Sequence, residues 1–147
     1  MHIILCKLGG SIKEEDVMNQ EKMVELLQKA IEAKTKSYSP YSNFKVGAAL
    51  ISEDGRIYTG CNIENASYGL AICAERTTIV KAASDGVRKI IALAINLDSD
   101  EIGYPCGACL QVMAEFMDND APVLVSNNKG EYKIYKFIEL YPFPFRL

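Results

Sequence analysis

The sequence predicts a three-layer α/β/α sandwich built on a five-stranded mixed sheet, with helices on both faces. Three observations point there. Helical and strand-like segments follow in the order α-β-β-α-β-α-β-β. Two of the strand segments, "KIIALAINL" (89–97) and "APVLVSN" (121–127), are continuous apolar runs, as expected of strands covered on both faces. A chain of 147 residues, 49% hydrophobic and 24% charged, is the right size for one domain with its own core.

The elements follow in order. Residues 1–17 read as a flexible extension with the polar linker "GGSIKEED", and Met18 is a candidate start for a folded domain over 18–147. From Asn19 to Thr35, apolar residues recur at helical spacing (Met23, Leu26, Leu27, Ala30, Ile31), with Asn19 as the cap and Glu21 in the first turn. "YSPYSNF" (38–44) breaks this helix. Val46, Ala48 and Leu50 then alternate with small residues, "SEDG" turns the chain, and Ile57–Asn62 runs back as the second arm of a hairpin. "ENASYGL" (64–70) is a loop, and Ile72–Ser84 is a small-residue helix closed by Gly86. After the first buried strand, "SDEIGYP" leads into a helix from Cys106 to Met117. "NKGEYKIYKF" (128–137) gives a turn and an edge strand guarded by lysines, and "IELYPFPFRL" is expected to be irregular. The strands flanking the second and third helices are expected to run parallel.

Charge excludes some functions. The net charge is −3 and the basic residues are scattered, so no stripe is available for a nucleic-acid backbone. No apolar run reaches the ~20 residues needed to span a bilayer, and the start lacks a basic n-region. A cytoplasmic location and a small-molecule partner follow as expectations. Five cysteines, an odd count, argue for ligands or core thiols over a disulfide framework.

The most chemical stretch is "YPCGACLQ" (104–111), a Cys-x-x-Cys pair at the head of a helix. Alone it can be a redox pair, half of a metal site or incidental; the one histidine, His2, is far away in sequence. "AICAERTTIV" (71–80) changes the odds by placing Cys73 at the start of the preceding helix. Helix N-termini favour thiolates, and three of them leave one of zinc's four positions open for water. Glu75, two residues past Cys73, suits proton transfer at that open position, and Arg76 can offset the excess negative charge. Cys6 and Cys61 fall outside this set, Cys61 as a buried strand thiol.

"CAE" at 73–75 followed by "PCGAC" at 105–109 resembles the zinc-dependent cytidine deaminases of the free-nucleoside, small-subunit type. "SYSPYSNFKVGAAL" and "GCNIENASYG" extend the likeness from about residue 19 to 147. The resemblance implies one zinc per subunit on Cys73, Cys106 and Cys109, with Glu75 as proton shuttle in the hydrolysis of cytidine or deoxycytidine to uridine or deoxyuridine. It implies Phe44 against the pyrimidine, Asn62 and Glu64 on the ribose, Ala74 offering backbone contacts to the base, and Arg76 and Gln111 around the ligands. It further implies a homotetramer in which Phe145, or else Phe143, closes a neighbour's site, with Tyr68 reaching across as well. The alternatives are a deaminase of nucleoside antibiotics such as blasticidin S and a noncatalytic zinc-binding module.

Overall fold

A computed structural model describes residues 14–147, with side chains from Gln20 onward. His2, Cys6, most of the expected extension and the side chains of Met18 and Asn19 lie outside that description. Helix α1 (Glu14–Lys34) begins before Asn19, which therefore lies inside the helix and not at its cap.

β1 (Val46–Ser52) and β2 (Ile57–Cys61) form the expected hairpin, followed by α2 (Ala74–Ser84), β3 (Ile90–Leu97), α3 (Gly107–Phe116), β4 (Pro122–Ser126) and β5 (Tyr132–Lys136). The strand order is β2-β1-β3-β4-β5, a five-stranded mixed sheet. β1 is antiparallel to both neighbours, so β2 and β3, which flank α2, point the same way; β3 and β4, which flank α3, pair in parallel. The "ENASYGL" loop contains a 3₁₀ turn at Tyr68–Leu70.

Side-chain alternation along the inner strands builds two cores. Ala49, Ala92, Ala94 and Leu124 face α1 and pack on Leu26, Leu27 and Ala30. Val46, Ala48, Leu50, Leu93, Ile95, Val123 and Val125 point the other way, into the core beneath α2 and α3. The α1 face is paved with small residues, which lets the helix backbone come close. At Gly47 a Cβ would stand 2.0 Å from the Ala30 carbonyl oxygen and 2.4 Å from the Lys34 nitrogen.

Two termini differ from the sequence reading. α2 starts at Ala74, because Ile72 bridges back to Ile63, and α3 starts at Gly107. The tail is not wholly irregular: Phe137 leaves the edge strand to open a single helical turn, α4 (Phe137–Leu140), because its ring is fully buried.

The backbone contact at Gly47 generates a test of this packing. Gly47→Ala is expected to lower the unfolding free energy by about 3 kcal/mol, because the obstructing atoms are backbone and cannot rotate away. Urea unfolding would read this as a lower midpoint at unchanged slope. An unchanged midpoint contradicts the close approach of α1.

Candidate active site: a three-thiol cluster at two helix starts

Sheet register decides where the candidate residues meet. Gly47 pairs with Cys61 and Val46 with Leu97, so the start of β1 and the ends of β2 and β3 share one edge of the sheet. Chain entering β1 or leaving β2 and β3 must therefore emerge at that edge. Phe44, Asn62, Glu64, α2's N-terminus and α3's N-terminus all lie on those connections. This is where ligands gather in open α/β sheets.

Cys73 and Cys106 are the N-cap residues of α2 and α3, with extended backbones (φ −73° and −71°). A serine or aspartate at such a position would bond the first turn; neither thiol does, so both sulfurs are free to point elsewhere. Cys109 follows in the first turn of α3, fully buried. The Sγ atoms of Cys73 and Cys106 are 3.9 Å apart, and those of Cys106 and Cys109 are 3.5 Å apart. All three lie within 4.8 Å of one another. Zn–S bonds of about 2.3 Å in a tetrahedron set neighbouring sulfurs about 3.8 Å apart, so the cluster fits one zinc ion. It is far too open for a disulfide, whose sulfurs approach to about 2.05 Å.

The electrostatics agree with a cation site. The Cys109 thiol beside it brings Cys73 down to about 5 against the penalty of burial, and the Arg76 guanidinium helps. Its partnership with Cys73, its burial and the Glu75 charge push Cys109 well above the ordinary thiol range. Without a metal, one thiolate forms at its neighbour's expense. A dication removes that conflict. Arg76 Nη2 stands 3.7 Å from Cys73 Sγ, and its buried Nε has no hydrogen-bond partner among the described residues. Glu75 is only 5% exposed in the first turn of α2. Burial, with some push from the Cys73 charge, raises its carboxyl to about 7.

The second group is the loop before β1. Asn43 holds a left-handed backbone (φ 56°), a conformation asparagine tolerates, and turns the chain just before Phe44. The Phe44 ring is 42% exposed, which rules out a plain core role. Asn62 braces this turn: its Nδ2 donates to the Phe44 carbonyl at 2.8 Å, and its Oδ1 accepts from Val46 N at 2.9 Å and from Ser37 Oγ. Glu64 Oε2 accepts from Tyr41 N at 2.9 Å and Ser42 N at 3.2 Å, and Oε1 accepts from Ser42 Oγ. The Ser42 hydroxyl first, and then those two amides, hold its carboxyl below the usual range. Beside them opens a cleft of about 340 Å³ lined by Tyr41, Ser42, Glu64, Asn65, Tyr68 and Ala71. Its lining includes Ala71, two residues before Cys73 in sequence, and none of the three thiols. Sequence reasoning took "SYSPYSNF" as a helix breaker and part of the family likeness, gave Phe44 a role, and assigned none to Ser37, Tyr41 and Ser42. Their polar groups, flanking Phe44, were the available signal.

Other expected residues have identifiable surroundings. The Gln111 side chain is engaged by the tail: Tyr141 Oη donates to its Oε1 at 2.9 Å, and its Nε2 donates to the Phe145 carbonyl at 3.0 Å. Ala74 is fully buried at the first helical position, where its N–H has no intrahelical acceptor. Tyr68 is 78% exposed with its ring edge-on to Tyr41; Phe145 and Phe143 are 67% and 90% exposed. Cys61 is separate from the cluster, its Sγ donating to the Lys36 carbonyl at 3.3 Å.

The charge distribution predicts reactivity. After chelation under reducing conditions, limited alkylation at pH 7 should modify Cys73 well before Cys109, since the Cys73 thiol is brought down to about 5 while that of buried Cys109 is pushed up. Peptide mass spectrometry reads the order; equal labelling, or Cys109 first, contradicts it.

Comparison with known proteins places this site. The family described as "Cytidine and deoxycytidylate deaminase zinc-binding region" matches residues 20–125. The chain is 49% identical to a cytidine deaminase of Sporosarcina psychrophila over 125 residues, covering 85% of this chain and 90% of that one. It is 48% identical to a cytidine deaminase of Halalkalibacterium halodurans over 117 residues, covering 80% and 89%. A crystal structure of cytidine deaminase from Burkholderia pseudomallei superposes with a TM-score of 0.80 at 43% identity, covering 83% of this chain and 98% of that one. The cytidine deaminase structure from Mycobacterium tuberculosis gives 0.71 at 36% identity, covering 85% and 98%. With its three thiols and buried carboxyl inside the matched region, the chain belongs to the cytidine and deoxycytidylate deaminase zinc-binding family.

Proposed function

We propose that this protein hydrolyses free cytidine and deoxycytidine to uridine and deoxyuridine with release of ammonia, using one zinc per chain. The observation that carries the reading is the buried Glu75 carboxyl, set by the same helix start that places Cys73 in the thiol cluster. The named relatives at 48–49% identity are cytidine deaminases, which favours cytidine over antibiotic nucleosides.

Cys73, Cys106 and Cys109 would hold the zinc, which when bound would activate a water as the nucleophile. Everything else falls to the chain's own groups. Glu75 accepts a proton from the attacking water and delivers it to N3 of the ring. It then carries the second proton to the amino group, so that the new C4–O bond replaces C4–N4 and ammonia leaves. A carboxyl near 7 is suited to both directions of transfer. Arg76, against Cys73 Sγ, offsets part of the charge of three thiolates. Phe44 covers a face of the pyrimidine, and Ala74 N–H is free to bond the base. Asn62 retains one Nδ2 hydrogen, and Glu64 retains acceptor capacity, for the vicinal ribose hydroxyls.

We assign residues 18–147 to the catalytic domain and residues 1–17 to an appendage that runs into it through the start of α1 at Glu14; the family match beginning at residue 20 supports an N-terminal boundary in this region. A homotetramer, with Phe145 and Tyr68 reaching a neighbour's site, is supported by the exposure of both rings. A role in pyrimidine salvage follows from the substrate. Free thiols at 3.5–3.9 Å need a reducing compartment to stay unpaired, which favours the cytoplasm. Among the described residues no helix is long and apolar enough to cross a membrane.

Purified protein should release ammonia from cytidine and deoxycytidine and leave blasticidin S untouched. Glu75→Gln should keep its zinc by metal analysis while turnover falls by about 10³-fold or more. Full activity in that variant contradicts the assigned role. Stoichiometric zinc with no turnover on any of the three compounds would favour a noncatalytic module.

A further inference from the structure

The last residues of the chain follow α3 closely. Arg146 Nη1 donates to the Ala114 carbonyl at 2.6 Å, and its Nη2 donates to Asn119 Oδ1 at 3.2 Å and the Met117 carbonyl at 3.5 Å. This guanidinium satisfies carbonyls at the C-terminal end of α3, where a cation is favoured by the helix dipole. Nearer the start of the helix, Gln111 takes the Tyr141 hydroxyl on one side of its amide and holds the Phe145 carbonyl on the other. Pro142 and Pro144 restrict the backbone between these anchors. The outcome is a fixed path that nevertheless leaves Phe143 and Phe145 largely in solvent. Ordering a segment has an entropic cost, and rings left in water return nothing for it within this chain. The hydrogen bonds hold the tail, but any burial of these two rings comes from outside this chain.

We propose that Gln111 and Arg146 are positioning residues: they clamp the tail to α3 so that the Phe145 ring is held ready for the substrate site of a second copy of this chain. The inference rests on the reading that a neighbour's tail closes that site. The clamp also ties the tail to the helix that carries Cys106 and Cys109, so one rigid element sets both a chain's own ligands and what it lends its neighbour.

The test is a double-mutant cycle on the zinc-loaded protein with cytidine as substrate. Arg146→Ala should raise KM about fivefold or more, with kcat within about twofold and zinc stoichiometric. Phe145→Ala should raise KM as much, and the double variant should add nothing further, because Arg146 acts through the ring. Arg146→Lys, keeping a cation at the Ala114 carbonyl, should recover part of the loss. If Arg146→Ala fails to fold, Gln111→Met removes the other anchor and should give the same KM pattern. A neutral Arg146→Ala beside a damaging Phe145→Ala overturns the clamp alone. Independent effects in the cycle, or loss of kcat together with zinc, also overturn it. A neutral Phe145→Ala overturns the clamp and the tail-closing reading together, while cytidine turnover by the parent protein keeps the proposed activity standing.

Discussion

Three sulfur atoms held 3.5–3.9 Å apart at its closest contacts constrain this protein more than any other interaction. Proximity sets two of the thiols against each other: Cys109 helps to bring Cys73 down, and Cys73 helps to push Cys109 up. The cluster therefore behaves as a site completed by its metal, and the fold is arranged to deliver it. Two helix starts must lie side by side at one edge of the sheet, which requires β2 and β3 to end there. The register that pairs Gly47 with Cys61 and Val46 with Leu97 provides this. α1 secures the register from the far face, where Gly47 and small alanines let its backbone press against β1 and β3.

The same end of the sheet carries both the thiol cluster, which runs from exposed Cys106 to buried Cys109, and a group of polar loop residues. Asn62 and Glu64 spend hydrogen-bonding capacity on the turn from Ser37 to Val46, and Asn43's left-handed backbone completes it. Loop and strand exit thereby become one unit, and Phe44 reaches solvent beside an open cleft. Glu75 has a different environment from Glu64. It is buried deeply enough that its proton is held near neutrality, whereas Glu64, fastened by amides and a hydroxyl, stays ionised. Two carboxylates in one site acquire different chemistry from their surroundings.

Much of this was legible in the sequence because the signals were local or strongly periodic. "KIIALAINL" and "APVLVSN" read as covered strands, and the thiol spacing around Glu75 pointed to two helix starts. What escaped reading depended on contacts between distant segments. Phe137 is apolar in an alternating edge strand, yet its burial under the sheet starts a helical turn. Gln111 lies two residues past a cluster thiol, and only the folded tail reveals that its amide serves Tyr141 and Phe145. Ile72 pairs with Ile63 across the 3₁₀ turn, which delays α2 by two residues and makes Cys73 a cap. No single window of sequence carries those facts.

The central claim is that the three-thiol cluster and Glu75 form one hydrolytic centre. Titrating zinc back into chelated, reduced protein while following uridine formation from cytidine tests it most directly. The account predicts that activity is lost on chelation, rises linearly with added zinc and saturates at one equivalent per chain. Activity that survives complete zinc removal, or that needs a different number of equivalents, would contradict it.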